Sequence, residues 1–170
     1  VQAMIQACRR GKMTGERNRA LLLALLDTGA RAMEMLSADL GDLNPITGAL
    51  LIRQGKGHKP RTVYLGQKAR KAIRAYLKLR QDNNPALWIN DEFERLGYEA
   101  LRAMLTRLAN AAGVPVPTPH DFRRAFALTM LRNGTDLITL SRLMGHTSLT
   151  VLTRYLKQTG DDLESAFRRA

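Results

Sequence analysis

Three helix-start signals follow one another between residues 118 and 155, and they confine this stretch to short helices. The first is Thr-Pro-His-Asp at 118–121, with a hydroxyl for the N-cap, a proline for the first helical position and an acid three residues after the cap. Asn-Gly at 133–134 is typical of a helix end, and Thr-Asp at 135–136 can cap a second helix. Gly-His at 145–146 interrupts that helix, and Thr-Ser at 147–148 can cap a third. This order predicts an α-helical unit whose turns bring distant side chains together.

Side chains that can take part in chemistry recur on these helices. His120 and Arg123 are three residues apart, so they project from one face of the first helix. His146 lies at the break, and Tyr155 lies on the third helix. We expect these four side chains to converge. The neighbouring stripe is predicted to face the core and comprises Phe122, Phe126, Thr129 and Met130.

The spacing of these residues resembles a family motif. His120 and Arg123 are followed by Leu-Met-Gly-His at 143–146 and by Tyr155, nine residues after that histidine. This pattern resembles the C-terminal half of the tyrosine recombinases, also called phage-type integrases. The departures from the family pattern are mild, and none removes a functional group.

Two upstream segments resemble further motifs of the same family, in the family's order. Thr-Gly-Ala-Arg at 28–31, with Glu34, resembles the first arginine motif, and Gly-Lys-Gly-His-Lys-Pro-Arg at 55–61 resembles the hairpin that carries a lysine. The resemblance covers nearly all 170 residues. It implies an α+β, mainly helical fold with a small antiparallel β-sheet. It also implies that residues 1–170 form a single catalytic domain, without the N-terminal core-binding domain of the family.

The resemblance implies that the chain cleaves and rejoins duplex DNA at specific sites through a covalent 3′-phosphotyrosine intermediate. Tyr155 would be the nucleophile. Arg31, Arg123 and His146 would donate hydrogen bonds to the phosphate oxygens, on which negative charge grows in the transition state. These cationic donors would replace a metal ion. A tyrosine–DNA phosphodiester is close in energy to the bond that it replaces, so rejoining would need no ATP, and we expect no cofactor.

Two proton transfers accompany this reaction. The phenol has an ordinary pKa of about 10, so it must lose its proton as it attacks, and the departing 5′-oxygen must gain one. The resemblance implies His120 as the base or proton relay and Lys56 as the acid, and the sequence leaves the division between them open. Glu34 would orient its neighbours.

The charge of the chain suits a polyanionic partner. Lys and Arg number 27 against 15 Asp and Glu, which gives a net charge of +12. We expect double-stranded DNA as the partner, and the resemblance implies four protomers on two duplexes, with a monomer left open for the chain alone. The expected phosphate contacts outside the catalytic set are Lys59, Arg61, Arg124, Lys71 and Arg74.

Other classes of protein fit the sequence less well. No apolar run approaches the ~20 residues of a membrane span, and the N-terminus lacks the pattern of a signal peptide. With a lone cysteine, Cys8, the sequence favours a soluble protein of a reducing compartment, and we expect it in the cytoplasm, associated with the nucleoid.

Hydrophobic periodicity predicts the remaining elements. A nearly continuous apolar block at 20–26 indicates a buried helix, and turn signals on both sides of 49–54 and 62–65 indicate two paired strands. Further helices are predicted at 1–10, from about residue 30, at 67–80, at 97–113 and near the C-terminus after 161.

Three alternatives accompany this interpretation. A type IB topoisomerase shares the chemistry and would relax supercoils without exchanging strands, although the short spacing between motifs favours a recombinase. A catalytically silent DNA-binding module could keep the same fold. A zinc site made by His58, His120 and His146 is disfavoured because these histidines lie on separate elements without the usual ligand spacing.

Overall fold

The computed structural model describes residues 1–53 and 60–145. The hairpin tip, the third helix of the C-terminal unit and the terminal helix were predicted at positions outside these residues. Within the described ranges lie seven α-helices and two β-strands. They are α1 (Gln2–Ala7), α2 (Met13–Thr28), α3 (Ala32–Leu36), β1 (Ala49–Ile52), β2 (Arg61–Tyr64), α4 (Gln67–Leu77), α5 (Tyr98–Ala111), α6 (Pro119–Arg132) and α7 (Leu137–Met144).

Helix α2 lies at the centre of the fold because its apolar block has no polar face. Leu21 and Leu22 are fully buried, and Leu25 is almost so. The helix packs against α4 on one side and α6 on another, with further contacts to α1 and β2. Burial on several faces explains why the sequence pattern here is continuous rather than amphipathic. The helix ends at Gly29, whose left-handed backbone (φ 57°) closes its last turn.

Strands β1 and β2 pair antiparallel, as predicted. Leu50 lies opposite Val63 and Ile52 opposite Arg61, and these two pairs share one face of the sheet. Leu50, Ile52 and Val63 are buried. Arg61 therefore emerges on the face of the sheet that is turned toward the core, which decides the role of its side chain.

Helices α6 and α7 form a second, smaller apolar cluster. Phe126 and Ala127 of α6 pack with Leu140 and Met144 of α7. Both helices begin at the predicted caps. Asp121 Oδ2 accepts hydrogen bonds from the backbone N–H and the hydroxyl of Thr118, and Asp136 accepts from the N–H groups of the first turn of α7.

The sequence-based boundaries agree with the structure with small corrections. Helix α3 begins at Ala32, so Arg31 is its N-cap rather than a residue of its first turn. Strand β2 begins at Arg61, one residue before the prediction, and α4 ends at Leu77, three residues early. Thr129, which was expected in the inward stripe of α6, is exposed. Arg123 of the same helix is buried, because its guanidinium is hydrogen-bonded inside the protein.

The mainly helical α+β prediction is confirmed, with a two-stranded antiparallel sheet in the described part of the chain. Among the helices in residues 1–53 and 60–145, none combines the length and the apolar composition required to cross a bilayer.

Candidate active site

The turn that joins α2 to α3 holds the first pair of predicted site residues. Glu34 Oε2 accepts the backbone N–H of Arg31 at 2.9 Å, and Glu34 Oε1 accepts Arg31 Nη1 at 3.0 Å. A single carboxylate therefore fixes both the backbone and the guanidinium of Arg31. Arg31 Nε and Nη2 make no hydrogen bond to the rest of the described chain, and the Arg31 side chain is 39% exposed. Within residues 1–53 and 60–145, these two donors of Arg31 are therefore not used.

Arg61 approaches the same carboxylate from strand β2. Its Nη1 donates to Glu34 Oε1 at 3.1 Å and its Nη2 to Glu34 Oε2 at 2.7 Å. The Arg61 side chain is only 12% exposed. Arg31, Glu34 and Arg61 form what we call the Arg–Glu–Arg triad. In it, Arg61 binds both oxygens of the carboxylate, which is the strongest geometry for this pair.

The triad keeps Glu34 ionised despite its burial. Burial alone would raise the pKa of Glu34, but hydrogen bonds from Arg61 and from the Arg31 backbone N–H, with the positive charge of Arg61, outweigh it and lower the pKa from 4.5 to about 2. Glu34 is therefore an anion under physiological conditions, and it needs cationic partners to remain buried.

Arg123 joins two of the predicted motifs from the middle of α6. Its guanidinium is buried, and Nη1 donates to the carbonyl oxygen of Gly29 at 2.5 Å. Its Nη2 donates to the carbonyl oxygen of Met144 at 2.7 Å. Gly29 lies two residues before Arg31, and Met144 lies two residues before His146. The Arg123 side chain thus connects the first arginine motif to the end of α7.

The end of α7 is held by two guanidinium groups. In addition to Arg123, Arg61 Nε donates to the carbonyl oxygen of Leu143 at 3.1 Å. The last carbonyl groups of a helix carry partial negative charge and have no partner within the helix, so cations are favourable there. Both arginines therefore stabilise the point at which the chain passes from α7 to Gly145.

Gly145 allows the guanidinium of Arg61 to lie close to the backbone at the end of α7. Its backbone is left-handed (φ 63°), and a Cβ atom at this position would lie 2.8 Å from Arg61 Nη1 and 2.9 Å from Arg61 Cζ. Gly29 has a comparable role, since a Cβ atom there would lie 2.3 Å from a ring carbon of Phe126. The glycines of both motifs are thus needed for packing as well as for the turns.

The other predicted residues within the described ranges lie on the surface. His120 is exposed in the first turn of α6, and Arg124 is half-buried on the same helix. Lys71 and Arg74 are exposed on α4. Arg74 also lies near the turn before β1, with Nη1 3.5 Å from the carbonyl oxygen of Pro45.

Five predicted residues lie outside the described residues. They are Lys56, Lys59, His58, His146 and Tyr155. The structure describes the chain up to Arg53 and from Pro60 on one side, and up to Gly145 on the other. The residues that the structure does bring together are Arg31, Glu34 and Arg123, with Arg61 as a fourth member.

The sequence predicted that Arg61 contacts a DNA phosphate, but in the structure its side chain binds groups of the protein. Its guanidinium makes three hydrogen bonds to Glu34 and Leu143, so it is turned into the protein rather than toward solvent. A signal was present in the strand pattern. Successive side chains of a strand alternate between faces, so Arg61 shares the core face with Val63, two residues further on.

Comparison with known proteins identifies the family of the chain. The phage integrase family matches residues 1–161. Tyrosine recombinase XerA of Pyrococcus furiosus is 33% identical over 173 residues, which cover 100% of this chain and 59% of that protein. Tyrosine recombinase XerC of Thermodesulfovibrio yellowstonii is 33% identical over 163 residues, covering 89% of this chain and 54% of that protein. The chain thus spans little more than half the length of these relatives.

Solved structures show the same fold. A crystal structure of XerA recombinase superposes with a TM-score of 0.84 at 24% identity, covering 99% of this chain and 60% of that one. A post-cleavage complex of the site-specific recombinase XerH with a palindromic difH substrate superposes with a TM-score of 0.79 at 25% identity, covering 97% of this chain and 50% of that one. With its two arginine motifs joined through Arg123, the chain belongs to the phage integrase family, the family of the tyrosine recombinases.

Proposed function

We propose that this chain is the catalytic domain of a site-specific DNA recombinase that cleaves and rejoins duplex DNA through a 3′-phosphotyrosine intermediate. The XerA and XerC relatives are named tyrosine recombinases, and the XerH structure is a post-cleavage complex with its DNA substrate. The net charge of +12 supports DNA as the partner.

One observation carries the proposal. Arg123 is hydrogen-bonded to the carbonyl oxygens of Gly29 and Met144, so a single buried guanidinium joins the motif of Arg31, the motif of His120 and Arg123, and the motif that ends in His146. These segments lie far apart in sequence. Their convergence on one side chain is what a shared site for a phosphate group requires.

The surplus of positive charge suits the transition state. Arg31, Arg61 and Arg123 contribute three guanidinium groups, and Glu34 contributes one carboxylate. Attack by the Tyr155 phenol forms a tyrosine–phosphate bond and breaks the bond from phosphorus to the 5′-oxygen, and negative charge grows on the non-bridging oxygens during this step. Fixed donors from Arg31 and Arg123, together with His146, would stabilise that charge without reorganisation. Reversal of the same step rejoins the strand, and the phosphotyrosine ester conserves the energy of the broken bond.

The proton transfers follow the sequence-based assignment. We propose His120 as the base or relay that takes the phenolic proton and Lys56 as the acid that protonates the departing 5′-oxygen. The exposed position of His120 in the first turn of α6, one turn before the buried Arg123, supports this role.

Contacts to the DNA backbone would come from several elements. Lys71 and Arg74 on α4 and Arg124 on α6 keep their proposed role as phosphate contacts, and Lys59 stays a prediction from the sequence. We propose assembly of four protomers on two duplexes during recombination and association with the nucleoid through the DNA. These proposals follow from the family and from the basic charge.

A selection on DNA tests the function and identifies the target site in the same experiment. The chain is incubated with a library of nicked duplexes in the presence of EDTA, protein–DNA adducts that resist SDS are recovered, and their ends are sequenced. We expect adducts at a defined sequence, with the protein on the 3′-phosphate and a free 5′-hydroxyl on the other side. Binding without any adduct would indicate a silent DNA-binding module, and adducts without sequence preference would favour a topoisomerase.

A further inference from the structure

Arg61 enters the proposed reaction only through its share of the positive charge, but its contacts indicate a more specific role. It is the residue in the described chain that touches both the carboxylate of the Arg–Glu–Arg triad and the end of α7. Its Nη1 and Nη2 donate to Glu34, and its Nε donates to Leu143 O at 3.1 Å. All three nitrogens of the guanidinium are thereby used inside the protein, with the side chain 12% exposed.

We propose that Arg61 is a positioning residue for strand cleavage. It neutralises Glu34, which leaves the outer donors of Arg31 for the scissile phosphate, and it fixes the end of α7, from which the chain continues to His146 and Tyr155. This inference rests on the proposed function of the chain as a DNA-cleaving domain. Arg61 itself would touch neither the substrate nor the nucleophile.

The charge balance of the triad supports the first half of the proposal. Glu34 is buried, and its carboxylate binds Arg61 through both oxygens but the guanidinium of Arg31 through Nη1 alone. Without Arg61, the buried carboxylate would need the whole fork of Arg31 for its neutralisation. Arg31 would then turn its Nε or Nη2 toward Glu34 and away from a bound phosphate. Arg61 thus determines how many hydrogen-bond donors of Arg31 remain available to a phosphate.

The packing around Gly145 supports the second half. The guanidinium of Arg61 lies so close to Gly145 that a Cβ atom there would approach it to 2.8 Å. Arg61 and Arg123 bind the carbonyl oxygens of consecutive residues, Leu143 and Met144. The direction in which the chain leaves α7 is therefore fixed by two side chains from different elements. A change at Arg61 releases one of them.

A double-mutant cycle tests the proposal on the target duplex that the selection recovers. Arg61→Gln, Glu34→Gln and the double variant are compared with the unaltered chain in a single-turnover assay on a nicked duplex at saturating protein. The rate of SDS-resistant adduct formation reports cleavage, and a separate titration reports DNA affinity. We expect Arg61→Gln to slow cleavage by about 10- to 100-fold, with DNA affinity changed by less than about threefold. The expected loss in rate is taken by analogy with the hydrogen-bond partners that orient metal ligands, whose loss costs about 10- to 100-fold in affinity or activity.

The double variant separates positioning from simple destabilisation. In the Arg61→Gln background, Glu34→Gln removes the anion that would capture Arg31, so it should raise the cleavage rate by about fivefold or more. In the unaltered background the same Glu34→Gln change should lower the rate. If Arg61→Gln does not fold, the double variant still carries the test because it buries no unpaired charge, and it should then cleave faster than Arg31→Gln.

Arg80→Gln is a matched control. Arg80 also binds one carboxylate through two donors, that of Asp82, and also donates to a backbone carbonyl oxygen, that of Ala86, with a buried side chain. These contacts lie outside the site, so Arg80→Gln should lower the melting temperature and leave the rate at saturation unchanged.

The outcomes distinguish the two proposals. Three results would overturn the role of Arg61 and leave the proposed function intact. The first is a cleavage rate of Arg61→Gln within twofold of that of the unaltered chain. The others are equal losses in cleavage rate and DNA affinity for Arg61→Gln, and additive effects of the two substitutions in the double variant. Absence of any adduct with the unaltered chain would overturn both.

Discussion

Arg61 and Arg123 bind neighbouring carbonyl groups at the end of α7, although one lies on a β-strand and the other on a helix. Arg61 Nε donates to Leu143 O at 3.1 Å, and Arg123 Nη2 donates to Met144 O at 2.7 Å. Each arginine has a second anchor near the first arginine motif, Glu34 for Arg61 and Gly29 O for Arg123. The two side chains therefore hold α7 against the turn that carries Arg31.

This relationship predicts that Gly145 tolerates no side chain. Gly145→Ala forces a left-handed residue with a Cβ atom (about 1–2 kcal/mol) and also displaces the guanidinium of Arg61. Gly113→Ala is the control, because Gly113 has the same φ of 63° with nothing within 4 Å of its Cβ position. We expect denaturant titration to show a larger loss for Gly145→Ala and cleavage to fall in that variant alone. Equal effects of the two substitutions would contradict the close packing of Arg61 against Gly145.

The low pKa of Glu34 predicts a specific acid sensitivity. Because folding lowers this pKa from 4.5 to about 2, the stabilisation is complete above about pH 4.5 and is lost as the pH falls toward 2. A shift of this size corresponds to roughly 3 kcal/mol. Urea unfolding from pH 6 to pH 2.5 should show a steeper decline for the unaltered chain than for Glu34→Gln. Parallel declines would show that Glu34 is not held ionised by the triad.

Arg31 and Arg123 should have similar effects on cleavage and different effects on stability. Arg123 is 3% exposed with two hydrogen bonds to carbonyl oxygens, whereas the Arg31 side chain is 39% exposed. We expect Arg123→Gln to lower the free energy of unfolding by about 2 kcal/mol or more, and Arg31→Gln by less than about 1 kcal/mol. Single-turnover cleavage should fall at least about 10²-fold in both variants. Unchanged cleavage in Arg31→Gln would remove this residue from the phosphate site.

The exposed cations of α4 should act on DNA affinity rather than on chemistry. Lys71→Gln and Arg74→Gln each remove one proposed phosphate contact, so each should weaken binding to all duplex sequences alike and lower the slope of log affinity against log salt by about 1. Arg102→Gln on α5 is the control, since Arg102 is exposed but pairs with Glu99 and has no proposed phosphate contact. The DNA affinity of all three variants is measured over a range of salt concentrations. A loss confined to one DNA sequence would indicate base recognition instead.

The predictable parts of the fold are those that depend on local sequence. The caps at Thr118 and Asp136 were correct because each depends on hydrogen bonds within one helical turn. The apolar block of α2 and the alternation of the two strands likewise specify burial directly. The start of α3 was displaced because Glu34 accepts the backbone N–H of Arg31 and makes it the cap.

The partners of Arg61 were not predictable from its neighbours in the chain. Its partners are Glu34 and Leu143, which lie 27 and 82 residues away. A cation beside a glycine-rich segment resembles a phosphate contact when it is viewed alone. The alternation of β2, which places Arg61 on the face of the buried Val63 and opposite the buried Ile52, indicates that its side chain turns inward but not which groups it binds. The same limit applies to Gly145, whose turn was predicted but whose contact with Arg61 was not.

The central claim is that Tyr155 takes over a phosphate from the DNA backbone, and adduct mapping tests it most directly. The chain and its Tyr155→Phe variant are incubated in EDTA with a nicked duplex that carries the recovered site, and adducts are digested and identified by mass spectrometry. We predict an SDS-resistant adduct on the peptide that contains Tyr155, joined to a 3′-phosphate, and none with Tyr155→Phe at unchanged DNA affinity. An adduct on another residue, or one that persists undiminished in Tyr155→Phe, would contradict the account.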